Sequence, residues 1–265
     1  MSYGDFQKAT TLIIRHPGQY TGEALETLFA SLSLTQSEQL NLRALSQDRL
    51  AGKFGYNMTT IRRRVALNSM PVAKIFIPEE LNKALWYELF EPQASKVRVF
   101  HLAYEYLSFL CSNKEATAWL QQACPEFIFD ILRFERAQSF LRSYEMPDHS
   151  PLPMGTLLLT DRIVVEDFDF DVAGLARVVT GAKERPDPTR LQPDKRMVFQ
   201  LMTSAKPTDK LSIFEIDGET FGFLKQQKEG GQVHGNLPSS YPDLIAAGLC
   251  QAVSADFGAK GQPSQ

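Results

Sequence analysis

The sequence of 265 residues has little of what marks most recognisable active sites. Its three cysteines, Cys111, Cys124 and Cys250, are widely spaced and form no Cys-x-x-Cys pair. An odd number of isolated cysteines argues against a disulfide framework and favours free thiols packed inside the fold. The four histidines are also scattered, and none stands at a metal-binding spacing such as His-Glu-x-x-His. We therefore expect no metal and no other cofactor in this chain.

Phosphate-binding loops, nucleophile motifs and long apolar runs are missing as well. There is no glycine-rich nucleotide loop and no Gly-x-Ser-x-Gly turn for a catalytic serine. No apolar stretch reaches the ~18 residues of a membrane span. The nearest, residues 97–111, is interrupted by Arg98, His101 and Glu105. Because the N-terminus also lacks a signal-peptide pattern, we expect a cytoplasmic protein that does not bind membranes.

Positive charge is scarce where a nucleic acid would be read. The net charge is −3, and residues 230–259 contain no lysine or arginine. The one basic run is Arg62-Arg63-Arg64, whose side chains point in three directions if the segment is helical. A solvated helix face explains this run, although contact with an acidic partner stays open. Phosphate contacts dominate nucleic-acid affinity, so we expect no nucleic-acid partner.

Residues 1–146 have the pattern of a helical domain, to which we assign partner binding. One expected helix carries an apolar stripe at i, i+3, i+4 and i+7, formed by Leu25, Leu28, Phe29 and Leu32. Thr35 and Glu38 form a capping-box pair at the start of the next helix. Gly52 and Gly55 are expected to break that helix, with another short one following.

The pattern changes near residue 146, and residues 154–256 indicate a small α+β domain. Two strands, 197–203 and 210–216, are separated by turn residues and predict a β-hairpin. Asp217 can cap a following helix, and a second helix fits after it. Residues 257–265 are expected to be a disordered tail. The fold class is therefore α+β: a helical domain, then a small sheet with two or three helices.

Two segments of this second domain have more than one interpretation. Acidic residues alternate with Phe168 and Phe170, which predicts a solvated face over a core face, or an acidic surface for a basic partner. Residues 175–179 fit either a helix or a strand. Three prolines in residues 181–196 predict a long exposed loop that could be mobile.

An uncharged sheet edge beside helices suits the capture of an extended peptide. Backbone hydrogen bonds at the edge supply affinity, and pockets for alternate side chains supply selectivity. The candidate peptide-binding residues on the two hairpin strands are Val198, Phe199, Leu201, Leu211, Ile213, Phe214 and Ile216. The candidate apolar floor from the two helices is Phe221, Leu224, Leu244 and Ile245.

The helix expected after Pro125 has a distinctive order of aspartate, apolar residue, arginine, apolar residue, glutamate and alanine. The residues are Phe127, Phe129, Asp130, Ile131, Leu132, Arg133, Phe134, Glu135, Arg136 and Ala137. This order resembles a helix of a bacterial family of accessory proteins described as having a DNA-binding domain. Members are encoded beside TIM-barrel iron enzymes that modify cysteines of small precursor peptides, as in methanobactin biosynthesis. Residues 125–255 resemble that family, and residues 1–120 share only their helical character with it.

The resemblance implies a non-catalytic half of a heterodimer. The iron would belong to the barrel partner, and this chain would hold the leader of a ribosomal precursor peptide as an added strand. Cysteine modification to oxazolone and thioamide would take place on the partner.

Two other functions fit some of the same observations. Short helices with a hairpin also occur in winged-helix DNA-binding regulators, but the last helix here carries Asp243 and no basic residue. A stand-alone enzyme would need a site assembled from distant residues, for which His101, Glu105 and Glu135 are the candidates.

Overall fold

The computed structural model describes residues 3–15, 19–90, 99–143, 163–184, 186–204, 210–228, 237–247 and 249. The described chain is a mixed α+β protein with a small antiparallel sheet, which confirms the predicted fold class in these terms. It divides into two compact units, Met1–Ala66 and Leu67–Gln265. This grouping puts helices after residue 66 in one unit with the sheet. The division expected at residue 146 falls outside the described residues, as does the tail 257–265.

The first four helices lie wholly or mainly in the first unit. They are α1 (Tyr3–Arg15), α2 (Glu23–Ala30), α3 (Gln36–Gln47) and α4 (Arg49–Asn68). The predicted capping box is confirmed, since Thr35 N–H donates to Glu38 Oε2 at 2.7 Å and Glu38 N–H to Thr35 Oγ1 at 3.3 Å. Leu25 and Phe29 are buried in the unit's core.

The predicted break at Gly52 and Gly55 is wrong, because α4 continues through both glycines. A glycine inside a helix costs about 1 kcal/mol relative to alanine, and tertiary packing can offset that. A Cβ at Gly55 would overlap the carbonyl oxygen of Ile14 in α1. The missing side chain therefore lets two helices approach closely, which is a use of glycine that a single sequence does not reveal.

The second unit begins with helices and ends with a sheet flanked by helices. Its helical segments are α5 (Ala73–Phe76), α6 (Glu79–Ala84), a π-helical turn (Leu85–Leu89), α7 (Val99–Ser112), α8 (Lys114–Ala123), α9 (Ile128–Ser143), α10 (Val172–Gly181), a 3₁₀ turn (Pro188–Arg190), α11 (Gly218–Lys228) and α12 (Tyr241–Ala246). Residues 175–179 are thus helical. The acidic Asp171 caps that helix by accepting from Gly174 N–H at 2.8 Å.

The sheet has the order β1-β2-β3, with strands β1 (Ile163–Phe170), β2 (Lys195–Thr203) and β3 (Ser212–Ile216). Both pairs are antiparallel, so the predicted hairpin is confirmed for β2 and β3. Phe168 lies opposite Val198, and a register irregularity follows it in β1.

Side chains of one parity along β1 and β2 face α9, and those of the other parity face α11. Phe168 meets Phe134 of α9 at a centroid distance of 6.1 Å. On the other face, Leu201 joins Leu224 of α11 in a buried cluster. The sheet is therefore the middle layer between two helical layers along β1 and β2.

Candidate functional site

The side chain of Asp130 in α9 binds backbone N–H groups at the end of β1. Its Oδ2 accepts hydrogen bonds from the N–H of Asp169 at 2.8 Å and of Phe170 at 3.1 Å. Its other oxygen accepts from the Arg133 guanidinium at 2.7 Å. A buried carboxylate is tolerated when such partners satisfy its oxygens. Asp130 is therefore bound on both oxygens and serves to fix α9 against the sheet.

Arg133 lies between α9 and the sheet. Its guanidinium carbon lies 5.2 Å from the centre of the Phe168 ring, and its Nη1 lies 3.8 Å from Glu166. The neighbouring Arg136 also approaches Glu166, at 3.7 Å. The run of acids in β1 is thus not a uniform solvated face, because Glu166 shares the side of Phe168 and pairs with arginines of α9.

Glu135 holds a second, distant segment of the same unit. Its two oxygens accept from the N–H of Val72 at 2.7 Å and of Ala73 at 3.0 Å, at the start of α5. The side chain is fully buried, and burial raises the pKa of Glu135 to about 8. Together with Asp130, this residue makes α9 the element that joins α5 to the sheet.

The candidate enzyme site consists of His101 and Glu105 of α7 and Glu135 of α9. His101 Nε2 lies 3.2 Å from Glu105 Oε1 within α7, and both oxygens of Glu135 are held by backbone amides. A groove of about 720 Å³ adjoins Glu105 and Ser108, whose Oε2 and Oγ atoms have no hydrogen-bond partner among the described residues. Within the described part of the chain, no three histidine, cysteine, aspartate or glutamate residues form a group that could hold a metal ion.

The two described cysteines are weak nucleophiles. Cys111 and Cys124 are half-buried free thiols. Burial raises the pKa of both, and that of Cys124 reaches about 11. A thiol must ionise to attack, so both groups are poorly suited to covalent catalysis at neutral pH. The third cysteine, Cys250, lies outside the described residues.

Four of the predicted peptide-binding residues lie inside the fold. They are Val198, Leu201, Leu224 and Leu244, and all are buried. The last three share one cluster with Ile163, Tyr241 and Leu249, against which Ile216 and Ile245 pack partly buried. The predicted apolar floor is therefore largely the core under the sheet, and its buried members act on a ligand only by supporting the strands.

Phe199 and Phe221 form a pair between β2 and α11. Their ring centroids are 4.7 Å apart, and both side chains are half-buried. Asp217 starts α11 as predicted, since Thr220 N–H donates to Asp217 Oδ1 at 2.8 Å and the Thr220 hydroxyl to Oδ2 at 2.9 Å. These contacts fix α11 beside the end of β3.

Strand β3 is the least covered part of the sheet. Ile213 is 38% exposed and Phe214 is 47% exposed, whereas their partners in β2, Met202 and Leu201, are buried. Because residues opposite each other share a face, Phe214 lies on the α11 side and Ile213 on the α9 side. The predicted Leu211 is half-buried and precedes the strand. Among the described residues, β3 pairs only with β2, so one backbone edge carries no described partner strand.

An ion-pair network crosses the hairpin on the α9 side. Arg196 binds Glu215 through two hydrogen bonds of 2.6 and 3.0 Å and reaches Asp171 at 3.2 Å. The bond from Arg196 lowers the pKa of Glu215. Ile213 and Phe214 take no part in this network and are the exposed apolar side chains of β3.

Sequence reasoning identified the hairpin but missed the role of α9. Its charged residues were visible in the sequence, but the backbone amides that they bind lie about 40 and 60 residues away.

No helix of the described residues combines the length and the apolar character needed to cross a membrane. No protein-family model matches the chain, and no curated protein matches it either.

Proposed function

We propose that the chain is a non-catalytic partner subunit that presents the leader of a ribosomal precursor peptide to a TIM-barrel iron enzyme. In this proposal it acts in the cytoplasm like MbnC, the accessory subunit of the methanobactin oxazolone synthase, which it resembles. The iron and the cysteine chemistry belong to the partner, and this chain holds no cofactor. The single observation that supports the proposal is β3, a short edge strand with exposed apolar side chains on both faces.

An edge strand of this kind is suited to strand addition. A peptide that pairs with the outer edge of β3 gains backbone hydrogen bonds whatever its sequence. Its successive side chains would then lie beside Phe214 on one face and Ile213 on the other. Selectivity comes from these two neighbours, because apolar residues at two successive positions of the leader would cover them, one on each face.

The rigid setting of β3 supports the same proposal. On the α11 side, Ile216 packs against the buried cluster of Leu201 and Leu224. On the α9 side, Arg196 fixes Glu215. A binding strand held on both faces loses little conformational entropy when a peptide pairs with it, and such preorganisation increases affinity.

The direct test is binding of the labelled precursor peptide to the full chain, with and without the co-expressed iron enzyme. We expect fluorescence anisotropy to show micromolar binding or tighter, and size-exclusion chromatography to show a complex with the enzyme. The substitution Phe214→Glu should weaken peptide binding by about tenfold or more, as loss of an apolar anchor does. A matched control is Val178→Glu, since Val178 of α10 is also exposed and apolar. Failure of the wild-type chain to bind either molecule at micromolar concentration would remove the proposal.

Two adjacent proline substitutions test whether the backbone edge is used. Along a strand, successive residues point their N–H groups to opposite sides, so one of Ile213 and Phe214 donates outward. Proline at that position removes an outward donor and should abolish peptide binding while the fold remains stable. Proline at the other position should instead destabilise the hairpin. If a folded proline variant at each of the two positions still binds the peptide, the peptide does not pair with β3.

The same samples separate the other functions. Salt-dependent binding of the full chain to genomic DNA would favour a winged-helix regulator. Bound metal together with turnover by the isolated chain would favour a stand-alone enzyme.

A further inference from the structure

Helix α4 exposes an apolar stripe in the first compact unit. Leu50 is 76% exposed and Ile61 is 52% exposed, and Met58 is exposed between them. At about 100° of rotation per residue, the three side chains fall within an arc of about 80°. The stripe runs for three turns of the helix, which is long enough to contact a partner helix along its length.

A different side of α4 from the exposed stripe is packed inside the protein. Gly55 lies against the carbonyl oxygen of Ile14, and Ala66 is fully buried. Both residues lie outside the arc of Leu50, Met58 and Ile61, about 60° and 80° beyond Met58. The exposed stripe is therefore not the face by which α4 packs against α1, so its apolar character needs another explanation.

The charges of α4 have one sign. Its 20 residues include no aspartate or glutamate. The exposed cations Arg49, Lys53 and Arg64 all lie on the same side of the apolar arc, while Met58 at the far side borders the packed face. The exposed surface thus consists of an apolar stripe with a basic border along one side.

We infer that this α4 surface docks an amphipathic helix of the partner protein whose apolar stripe is bordered by carboxylates. An apolar ridge would cover Leu50 and Ile61, and the carboxylates would pair with Lys53 and Arg64, so that burial supplies affinity and charge sets the orientation. The inference rests on the proposed function, which identifies that partner as the iron enzyme. An anionic membrane fits less well, because the exposed basic residues border only one side of the stripe and the other side turns into the packed face.

The test uses the full chain and the co-expressed iron enzyme. The double variant Leu50→Asp/Ile61→Asp places charge in the stripe, and Lys53→Glu/Arg64→Glu reverses the border. Leu40→Asp is the matched control, since Leu40 of α3 is 58% exposed in the same unit. Circular dichroism establishes that each variant is folded, and the affinity for the labelled leader peptide is measured on the same samples.

We expect the stripe variant to bind the enzyme about tenfold more weakly or worse, because buried apolar anchors dominate interface energies. The border variant should weaken binding most at low salt, where charges are least screened. Leu40→Asp should bind the enzyme like the wild type, and every variant should keep the wild-type affinity for the leader peptide.

Three results would overturn the inference. If the wild-type chain binds the enzyme and the stripe variant binds it equally tightly, the α4 surface is not the docking site, and the proposed function still stands. Binding of the wild-type chain to phosphatidylglycerol vesicles that the stripe variant loses would assign the surface to a membrane instead. Absence of any complex between the wild-type chain and the enzyme would remove the partner and the surface together.

Discussion

Helix α9 and strand β3 use their residues in opposite ways. The charged side chains of α9 look suited to chemistry, but Asp130 and Glu135 are buried and bound to backbone amides. The side chains of β3 are ordinary, but Ile213 and Phe214 remain exposed beside an edge with no described partner strand. The contrast teaches that a distinctive residue pattern can serve to hold the fold together, while a candidate binding surface can lie in a segment without such a pattern.

The physical reason is the cost of burial. A buried carboxylate is tolerated only when its oxygens are satisfied, so α9 needs particular residues at particular positions. An edge strand offers its backbone, which is the same for nearly every residue. Strict requirements on sequence therefore arise in α9 and loose ones in β3.

Removal of the Glu135 side chain should have the largest effect on stability. Glu135→Ala leaves the N–H groups of Val72 and Ala73 buried without their acceptors, at a cost of about 3–5 kcal/mol in the free energy of unfolding. Denaturant titration of the full chain measures the loss, and Glu219→Ala on the exposed start of α11 is the control. A loss below about 1 kcal/mol would show that α9 is not the joint described above.

The raised pKa of Glu135 predicts that the free energy of unfolding falls as pH rises. Its pKa in the folded chain is about 8, above the ordinary value of 4.5, so the folded chain binds more protons than the unfolded one between these values. This contribution is fully present below pH 4.5 and is lost as pH rises through 8, by up to ~5 kcal/mol. Denaturation from pH 5 to 9 measures the slope, which Glu135→Gln should flatten. Equal slopes for both proteins would contradict the raised pKa.

Asp130→Ala should have a smaller effect than loss of Glu135. Two N–H groups at the end of β1 lose their acceptor and Arg133 loses its closest carboxylate, at about 2–3 kcal/mol. Because Asp169 is exposed, water can replace part of what is lost. Hydrogen exchange should speed up at Asp169 and Phe170 before it does elsewhere in the sheet. Uniform destabilisation without this local effect would argue against the contact as the cause.

Substitutions on β3 should have the smallest effect on stability. Ile213→Thr and Phe214→Thr remove apolar area that is already partly in water, at less than about 1 kcal/mol each. Thermal unfolding monitored by circular dichroism measures this, with Val198→Ala in the covered part of β2 as the contrasting variant. Should the β3 variants cost as much as Val198→Ala, β3 would be part of the core and its exposure would carry no functional meaning.

Local signals in the sequence predicted much of the fold. The Thr35–Glu38 capping box and the β2–β3 hairpin depend on residues close together in the chain, and both are confirmed. The prediction of a helix break at Gly55 is wrong, because Gly55 lies in contact with Ile14 and the helix continues through it. Alternation along the hairpin likewise identified apolar positions, but helices cover both faces along β1 and β2 and leave β3 exposed, so periodicity could not separate exposed Phe214 from buried Val198.

The single oxygen of Asp130 that holds two successive amides has a consequence for how the protein can change. It marks one fixed point on β1, next to the register irregularity after Phe168. Side chains alternate along a strand, so a residue inserted before this point would turn every preceding side chain of β1 to the opposite face. Insertions and deletions within β1 should therefore be far less tolerated than substitutions on β3, and under the proposed function the edge of β3 is free to diverge with the leader peptide.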